Sequence, residues 1–315
     1  MKLKGFLDTG DGVLKGKGIS ALQNSKASRN DLIALFGGIE NLPSSVMRAK
    51  RPKPDRETDA PVSERGYQNT LPGLKKVQDK RLPKILRQAY SSSGKGCSAG
   101  ALSTFPQAIG RSMVLLYSDP GQVVFDPFAG HNSRMDLCVR AGRHYIACDL
   151  STAFMEFNQK RANQLHQLYP KTIIKLHHCN SRKVPYKDES ADFTITSPPY
   201  WDIEFYGDEE GQLGLTKTYK DFLEGIGQVL CENYRVLRPD SYAVWFINDF
   251  RRKGKFHVYH ADIMRLGRKA GFIVHDLLIV DFGPGIRDCF TTQIVQTRIL
   301  PKRHEFGVVF RKEKL

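Results

Sequence analysis

From residue 101 onward, apolar positions fall into short runs whose period changes along the chain. "FPQAIGRSMVLLYS" carries them at helical spacing, and "QVVFDP" is a short continuous run ending in an acid. "RMDLCVRAG" returns to helical spacing, and "HYIACDL" is continuous again with an acid near its end. "TAFMEFNQKRANQLHQLY" is helical, "KTIIKLHHC" and "DFTITS" are buried runs, and "TYKDFLEGIGQVLCENYRVL" is helical. In that last helix Tyr219, Phe222, Leu223, Ile226, Leu230 and Leu237 fall on one face. "SYAVWFIN" predicts a strand and "VYHADIMRLGRKAG" a helix, after which "FIVHDLLIVDF" and "EFGVVFRK" predict two strands with no helix between them. Strand and helix alternate at least five times, which predicts an α/β fold with a doubly wound, Rossmann-like sheet. The sheet is expected to be mostly parallel, with an antiparallel edge strand from the last pair. In such sheets ligands bind beyond the carboxyl ends of the strands. Asp126, Asp149, Asn180 and Ser197 are expected there.

Residues 1–97 have a different texture. "KGKGISALQNSKASRN" and "AKRPKPDRETDAPVSERG" offer little to bury and predict a poorly structured segment. "SRNDLIALFGGI" and "LPGLKKVQDKRLPKILRQAY" are short helical candidates within it, and "SSSGKGCSAG" reads as a linker. The expected organisation is a basic N-terminal extension, 1–97, and one folded domain, 98–315.

Charge sharpens this division. The chain of 315 residues has a formal net charge of +15. Residues 1–100 hold 19 Lys and Arg against 9 Asp and Glu, and the rest holds 29 against 24. A basic balance of this kind favours a polyanionic partner such as nucleic acid. The six cysteines, Cys97, Cys138, Cys148, Cys179, Cys231 and Cys289, form no C-x-x-C pair. That argues against a zinc ribbon or a disulfide framework and suits a reducing cytoplasm. No metal is expected at His177-His178-Cys179, because neighbours on a strand point to opposite faces. No apolar run is long enough to span a membrane, and "MKLKGFLDTGDG" lacks the apolar core of a signal peptide.

Two stretches carry the candidate chemistry. "VVFDPFAG" ends a strand in Asp126 and turns through Pro127, Phe128, Ala129 and Gly130 towards a helix. It has neither the G-x-G-x-x-G pattern nor a Gly-Lys-Ser/Thr phosphate loop. A ligand with a cationic amino-acid end and a ribose fits better. Asp149 could accept both ribose hydroxyls, with Leu150 beside it, and Asp126 could help receive an ammonium. The same two acids could instead cap the helices that follow them.

In "DFTITSPPYWD" a buried run ends in two prolines, which fix φ and remove donors. The stiff backbone could direct the Pro198 carbonyl outward beside the Ser197 hydroxyl, with Pro199 holding the bend and Tyr200 and Trp201 supplying flat faces. Two acceptors aimed at the protons of an exocyclic amine would favour a pyramidal nitrogen with a free lone pair. Stacking of a base on an aromatic ring, worth about 1–3 kcal/mol, would hold it once flipped from a duplex.

These residues resemble the S-adenosylmethionine-dependent DNA amino-methyltransferases, which act on N4 of cytosine or N6 of adenine. The resemblance covers about residues 103–312. "TSPPYW" is similar to the catalytic motif, "FDPFAG" to the cofactor motif and "ACDLS" to the ribose-binding acid. It implies S-adenosylmethionine as cofactor, with Phe105, Asp126, Phe128, Gly130, Asp149 and Asn180 around it. It also implies Ser197, Pro198 and Tyr200 at the target base, and a direct displacement by the exocyclic nitrogen. A serine-first tetrapeptide leans towards cytosine N4. The family often continues "FAGSGTT" where this chain has "FAGHNSR", with His131 and Asn132 in place of smaller residues.

The expected partner is double-stranded DNA with the target base flipped out. Arg48, Lys50, Arg51 and Lys53 in "RAKRPKPDR" form a candidate arm for phosphate contacts. Residues 281–303 carry Arg287, Gln293, Gln296, Arg298 and Lys302, types able to read base edges. The acidic "DIEFYGDEEGQLG" reads as a mobile flap. With no large recognition domain legible, the specificity is expected to be short or relaxed, or to be supplied by a separate specificity or restriction partner. The competing readings are an RNA amino-methyltransferase and a catalytically silent nucleic-acid-binding subunit.

Overall fold

The computed structural model describes residues 18–23, 28–38, 42–49, 105–130, 133–204, 206–283, 291–300 and 302–314. The helix expected near residues 71–90, the linker at 91–100, His131 and Asn132 lie outside them, as do Lys50, Arg51, Lys53 and Arg287.

The continuous apolar runs become the central strands: β2 (Val123–Asp126), β3 (His144–Asp149), β4 (Ile174–His178), β5 (Ala191–Thr196) and β6 (Leu237–Ile247). Strands of a parallel sheet covered on both faces need apolar residues at every position, which is why these runs do not alternate. β2, β3, β4, β5 and β6 are mutually parallel. The order across the eight-stranded sheet is β4-β3-β2-β5-β6-β10-β9-β1. The last two strands expected from the sequence are β9 (Ile273–Asp281) and β10 (His304–Lys312). β10 runs antiparallel to both β6 and β9 and enters between them. The small β7 (Phe250–Arg252) and β8 (Lys255–His257) form a separate hairpin.

Part of the basic N-terminal third belongs to this fold. The three residues of β1 (Val46–Arg48) extend the sheet by pairing parallel to β9. Met47 is buried there. Helix α1 (Ile19–Gln23) precedes α2 (Arg29–Phe36), which is closed by a capping box between Ser28 and Asp31 and by Gly37 at φ 71. Phe36 is fully buried, and its carbonyl accepts a hydrogen bond from Arg111.

Helices α3 (Gln107–Tyr117), α4 (Ser133–Arg140) and α5 (Thr152–Leu168) pack with β2 and β3 in one apolar cluster. Asp136 clamps α4 to α5 through two bonds from Arg161, 2.7 and 2.9 Å. The other face of the sheet is covered by α6 (Tyr219–Val236) and α7 (Tyr259–Lys269). On α6 the buried stripe is Phe222, Gly225, Ile226, Val229, Leu230, Asn233 and Val236, while Leu237 opens β6 instead of continuing the helix. Asn233 joins Trp245 to Thr194, 2.9 and 2.7 Å, so the buried polar groups of three elements are satisfied together. Helix α8 (Thr291–Thr297) stands in the long connection before β10. Among the described residues no helix is long and apolar enough to cross a membrane.

Candidate active site

The chain runs from β2 outward through β3 to β4, then returns to place β5 and β6 on the other side of β2. Strand order therefore reverses between β2 and β5, the place where open α/β sheets bind ligands. A cleft of about 930 Å³, its mouth included, opens there. Phe105, Phe128, Gly130, Asp149, Leu150, Asn180, Ser197, Pro198, Pro199 and Tyr200 all line it. Residues from five separate stretches of sequence thus meet at one place.

Asp149, the last residue of β3, accepts from the Gly130 and Ser151 amides, 2.8 and 2.9 Å. Burial pushes its carboxyl up to about 6, against those two bonds. Each oxygen keeps a lone pair for a further donor. Gly130 sits at φ 54, where a glycine has no Cβ to strain the turn. Asn180 Oδ1 is held by the Arg182 backbone and guanidinium, 3.0 and 3.1 Å. Its amide nitrogen makes no hydrogen bond among the described residues and lies against Gly211, where a side-chain carbon would stand 2.8 Å from it. Phe105 stands edge-on to Phe246, ring centroids 4.9 Å apart.

At the other end of the cleft, Ser197 is half-buried and Pro198 buried. Among the described residues neither the Ser197 hydroxyl nor the Pro198 carbonyl is engaged in a hydrogen bond. The Pro199 carbonyl faces the other way and accepts from Tyr259, 3.3 Å. Tyr200 donates its phenol to Glu305 at 3.1 Å.

Four expected residues are not brought to the cleft. Asp126 is fully buried and its carboxylate is already saturated. It accepts from the Phe128 amide (3.1 Å), the Thr196 hydroxyl (2.7 Å), Arg134 Nε (2.6 Å) and the Tyr145 phenol (2.8 Å). It therefore has no lone pair left for an ammonium, and its role is to tie β2, β3 and β5 together behind the cleft. Pro127 and Ala129 shape the same turn from behind: the Pro127 carbonyl accepts from Ser181 and the Ala129 amide donates to Cys148, 2.9 Å. Trp201 has φ 33, a left-handed conformation that directs its ring into the core. There it is 7% exposed, donates to the Thr216 carbonyl (3.1 Å) and packs on Tyr219. Stacking on a target base is not open to it.

Arg134, Tyr206 and Glu305 are among the lining residues that went unforeseen. Tyr206 comes from the acidic loop and lines the cleft, which Trp201 does not. Its hydroxyl accepts from the Tyr200 amide (3.1 Å) and donates to Glu204 (2.7 Å). That loop, expected as a flap, is bonded down: Glu209 accepts from the Thr152 amide (2.7 Å) and the Gly211 carbonyl from Arg182 (3.2 Å). Arg48 and Arg298 lie outside the cleft. Arg48 donates from Nε and a terminal nitrogen to Asp281, 3.1 and 3.0 Å, and Arg298 follows α8 with φ 53.

Glu305 is 8% exposed, and burial pushes its carboxyl up to about 7, against the hydrogen bond from Tyr200, which lowers it. The folded protein therefore holds this proton between about pH 4.5 and 7 while the unfolded chain does not. The stabilisation is complete below about 4.5 and is lost as pH rises through 7. In urea titrations at pH 5 and pH 8, the wild-type midpoint is expected to fall further between the two than that of Glu305→Gln. Equal falls would show that the carboxyl titrates alike in both states.

The family described as DNA methylase matches residues 39–160 and 191–315. The type II methyltransferase M.SfiI of Streptomyces fimbriatus is 42% identical over 62 residues. Those residues are 20% of this chain and span 14% of the length of M.SfiI. Among solved structures, a S-adenosylmethionine-dependent methyltransferase of Methanosarcina mazei aligns with a TM-score of 0.45 at 14% identity. It covers 68% of this chain and 100% of its own. TrmN of Thermus thermophilus aligns with a TM-score of 0.43 at 15% identity over 66% of this chain and 49% of its own.

Membership of the DNA methylase family gives S-adenosylmethionine as the cofactor. The cleft's chemistry fits it: Asp149 would accept from the ribose, the open donor of Asn180 would meet a purine nitrogen, and Phe105, Phe128 and Leu150 supply apolar walls. The two matched segments take in every strand of the sheet except β4, and the chain belongs to the DNA methylase family.

Proposed function

We propose that the chain methylates the exocyclic amine of a base flipped out of double-stranded DNA, with N4 of cytosine preferred over N6 of adenine. The observation that carries this reading is the pair of open acceptors, Ser197 Oγ and the Pro198 carbonyl, in the cleft that also holds Asp149. An unpartnered acceptor pair at the end of a rigid Pro-Pro corner suits an NH2 group and offers nothing to a hydroxyl nucleophile that a general base must activate. The preference for cytosine comes from the serine that opens the tetrapeptide.

Bound S-adenosylmethionine supplies an electrophilic methyl group on a sulfonium. The residues of this chain do the positioning. Ser197 and Pro198 would accept hydrogen bonds from the two amine N–H groups and favour the pyramidal nitrogen whose lone pair takes the methyl group; the sulfur–methyl bond breaks to leave a thioether, and the surplus proton on nitrogen passes to water. Tyr200 stacks on the base and is itself fixed by Glu305. Pro199, turned away and bonded to Tyr259, holds the corner. Holding both reactants in one cleft supplies much of the acceleration.

The duplex is gripped by the basic N-terminal third. Lys50, Arg51 and Lys53, which directly follow β1, and Arg287 and Arg298 near α8 are the proposed phosphate and base contacts. A separate specificity or restriction subunit completes the system.

The test is incubation of the full chain with tritiated cofactor and either DNA or RNA, followed by digestion to nucleosides. The expected label is N4-methyldeoxycytidine from DNA. Label in RNA alone would assign an RNA enzyme, and DNA binding without label a silent subunit.

A further inference from the structure

Arg134 is the one cation in the cleft wall among the described residues. It belongs to "FAGHNSR", where this sequence departs from the family's small residues. Its guanidinium is held on three sides. Nε donates to Asp126 at 2.6 Å, one terminal nitrogen donates to the Phe128 carbonyl, and the carbon lies 5.2 Å from the centre of the Phe105 ring. A side-chain carbon at Gly130 would stand 3.8 Å from that same nitrogen, so the cation lies beside the turn at which the cofactor's amino-acid end is expected. Arginine carries five N–H donors in a planar fork, and the described residues take only two of them. Arg134 is only 5% exposed and lines the cleft, so the donors that remain are offered there and hardly to bulk water.

We propose that Arg134 receives the methionine carboxylate of S-adenosylmethionine, and that the amino-acid end of the cofactor is selected through this anion and not through its ammonium. The reason is the division of labour between two residues. Asp126, the acid expected for the ammonium, is spent on four donors of its own. One of those donors is Arg134, so the carboxylate that would have faced the ligand instead aims a cation at it. A guanidinium fixed in this way pairs well with a carboxylate, since its planar donors match two oxygens at once and little side-chain entropy remains to be lost. Among the described lining residues Arg134 is the one cationic partner for negative charge. The inference rests on the cofactor and not on which base is methylated.

Equilibrium binding without DNA tests it. The full chain is titrated with three ligands: S-adenosylhomocysteine, its decarboxylated analogue, which keeps the ammonium, and 5′-methylthioadenosine, which lacks both groups. Loss of the carboxylate is expected to weaken binding at least tenfold, and further loss of the ammonium to change it less than threefold. In Arg134→Lys, which keeps a cation for Asp126 but loses the fork, the penalty for decarboxylation is expected to shrink to threefold or less. Equal affinity for the first two ligands in the wild type would overturn the proposal, as would a full penalty retained in the lysine variant. Should the variant not fold, the wild-type comparison still decides. If S-adenosylhomocysteine does not bind at all, the cofactor assignment falls and takes this inference with it. A failed methylation assay alongside a large decarboxylation penalty would instead leave the inference standing and overturn the proposed substrate.

Discussion

Ser197→Ala lowers kcat by about 10²–10³, the usual cost of deleting one preorganised group that stabilises charge developing in a transition state. Affinity for the cofactor and for DNA stays close to wild type. The expectation depends on when the interaction matters. A planar amine shares its lone pair with the ring and gains little from a hydroxyl acceptor, whereas the nitrogen that has begun to bond carbon carries positive charge on its protons. An interaction made chiefly at that moment appears in kcat and hardly in KM. Stability should not move either. Ser197 is half-buried, and its hydroxyl is engaged with none of the described residues, so alanine strands no buried partner. A Ser197 that merely shaped the turn would behave in the opposite way, with lowered stability and unchanged turnover in the surviving protein. Steady-state kinetics and a denaturation curve on the same variant separate the two.

The sheet and the Ser-Pro-Pro-Tyr corner could be read from sequence because each depends on local pattern. Central parallel strands are buried on both faces, so β2, β3, β5 and β6 announce themselves as apolar runs. The two prolines restrict the backbone whatever surrounds them. Other features depend on what the chain meets far away. Val-Met-Arg is too short to show a period, and it becomes β1 only because β9 offers an open edge more than 200 residues later. Glu305 lies 105 residues from Tyr200 and reaches the cleft because β10 inserts between β6 and β9. Trp201 looks like a stacking ring beside Tyr200, yet its φ of 33 turns it away. A left-handed tryptophan is not a local preference and is held by the packing around it. "FAGHNSR" was legible as a departure from a family pattern at His131 and Asn132, while the place of Arg134 and its consequence for Asp126 required the fold.

That consequence gives the second large effect: Asp126→Asn destabilises the protein, before any ligand is added, by about 3–5 kcal/mol, the usual penalty for removing one partner of a buried ion pair. The carboxylate is fully buried, and it accepts hydrogen bonds from a guanidinium, a phenol, a hydroxyl and an amide. Asparagine retains one acceptor oxygen and sets an NH2 group against these donors, leaving the Arg134 charge uncompensated in a site where it is 5% exposed. Urea denaturation of the ligand-free protein measures the loss. Were Asp126 a ligand-binding acid, the variant would keep its ligand-free stability and lose only cofactor affinity. The double variant Asp126→Asn/Arg134→Met gives an independent check. With the stranded cation replaced by an apolar side chain of similar length, the combined loss is expected to be smaller than that of Asp126→Asn alone, because the two residues share one interaction. Simple addition of the two single losses would mean that Asp126 answers chiefly to Thr196 and Tyr145, and that Arg134 stands in the cleft without depending on it.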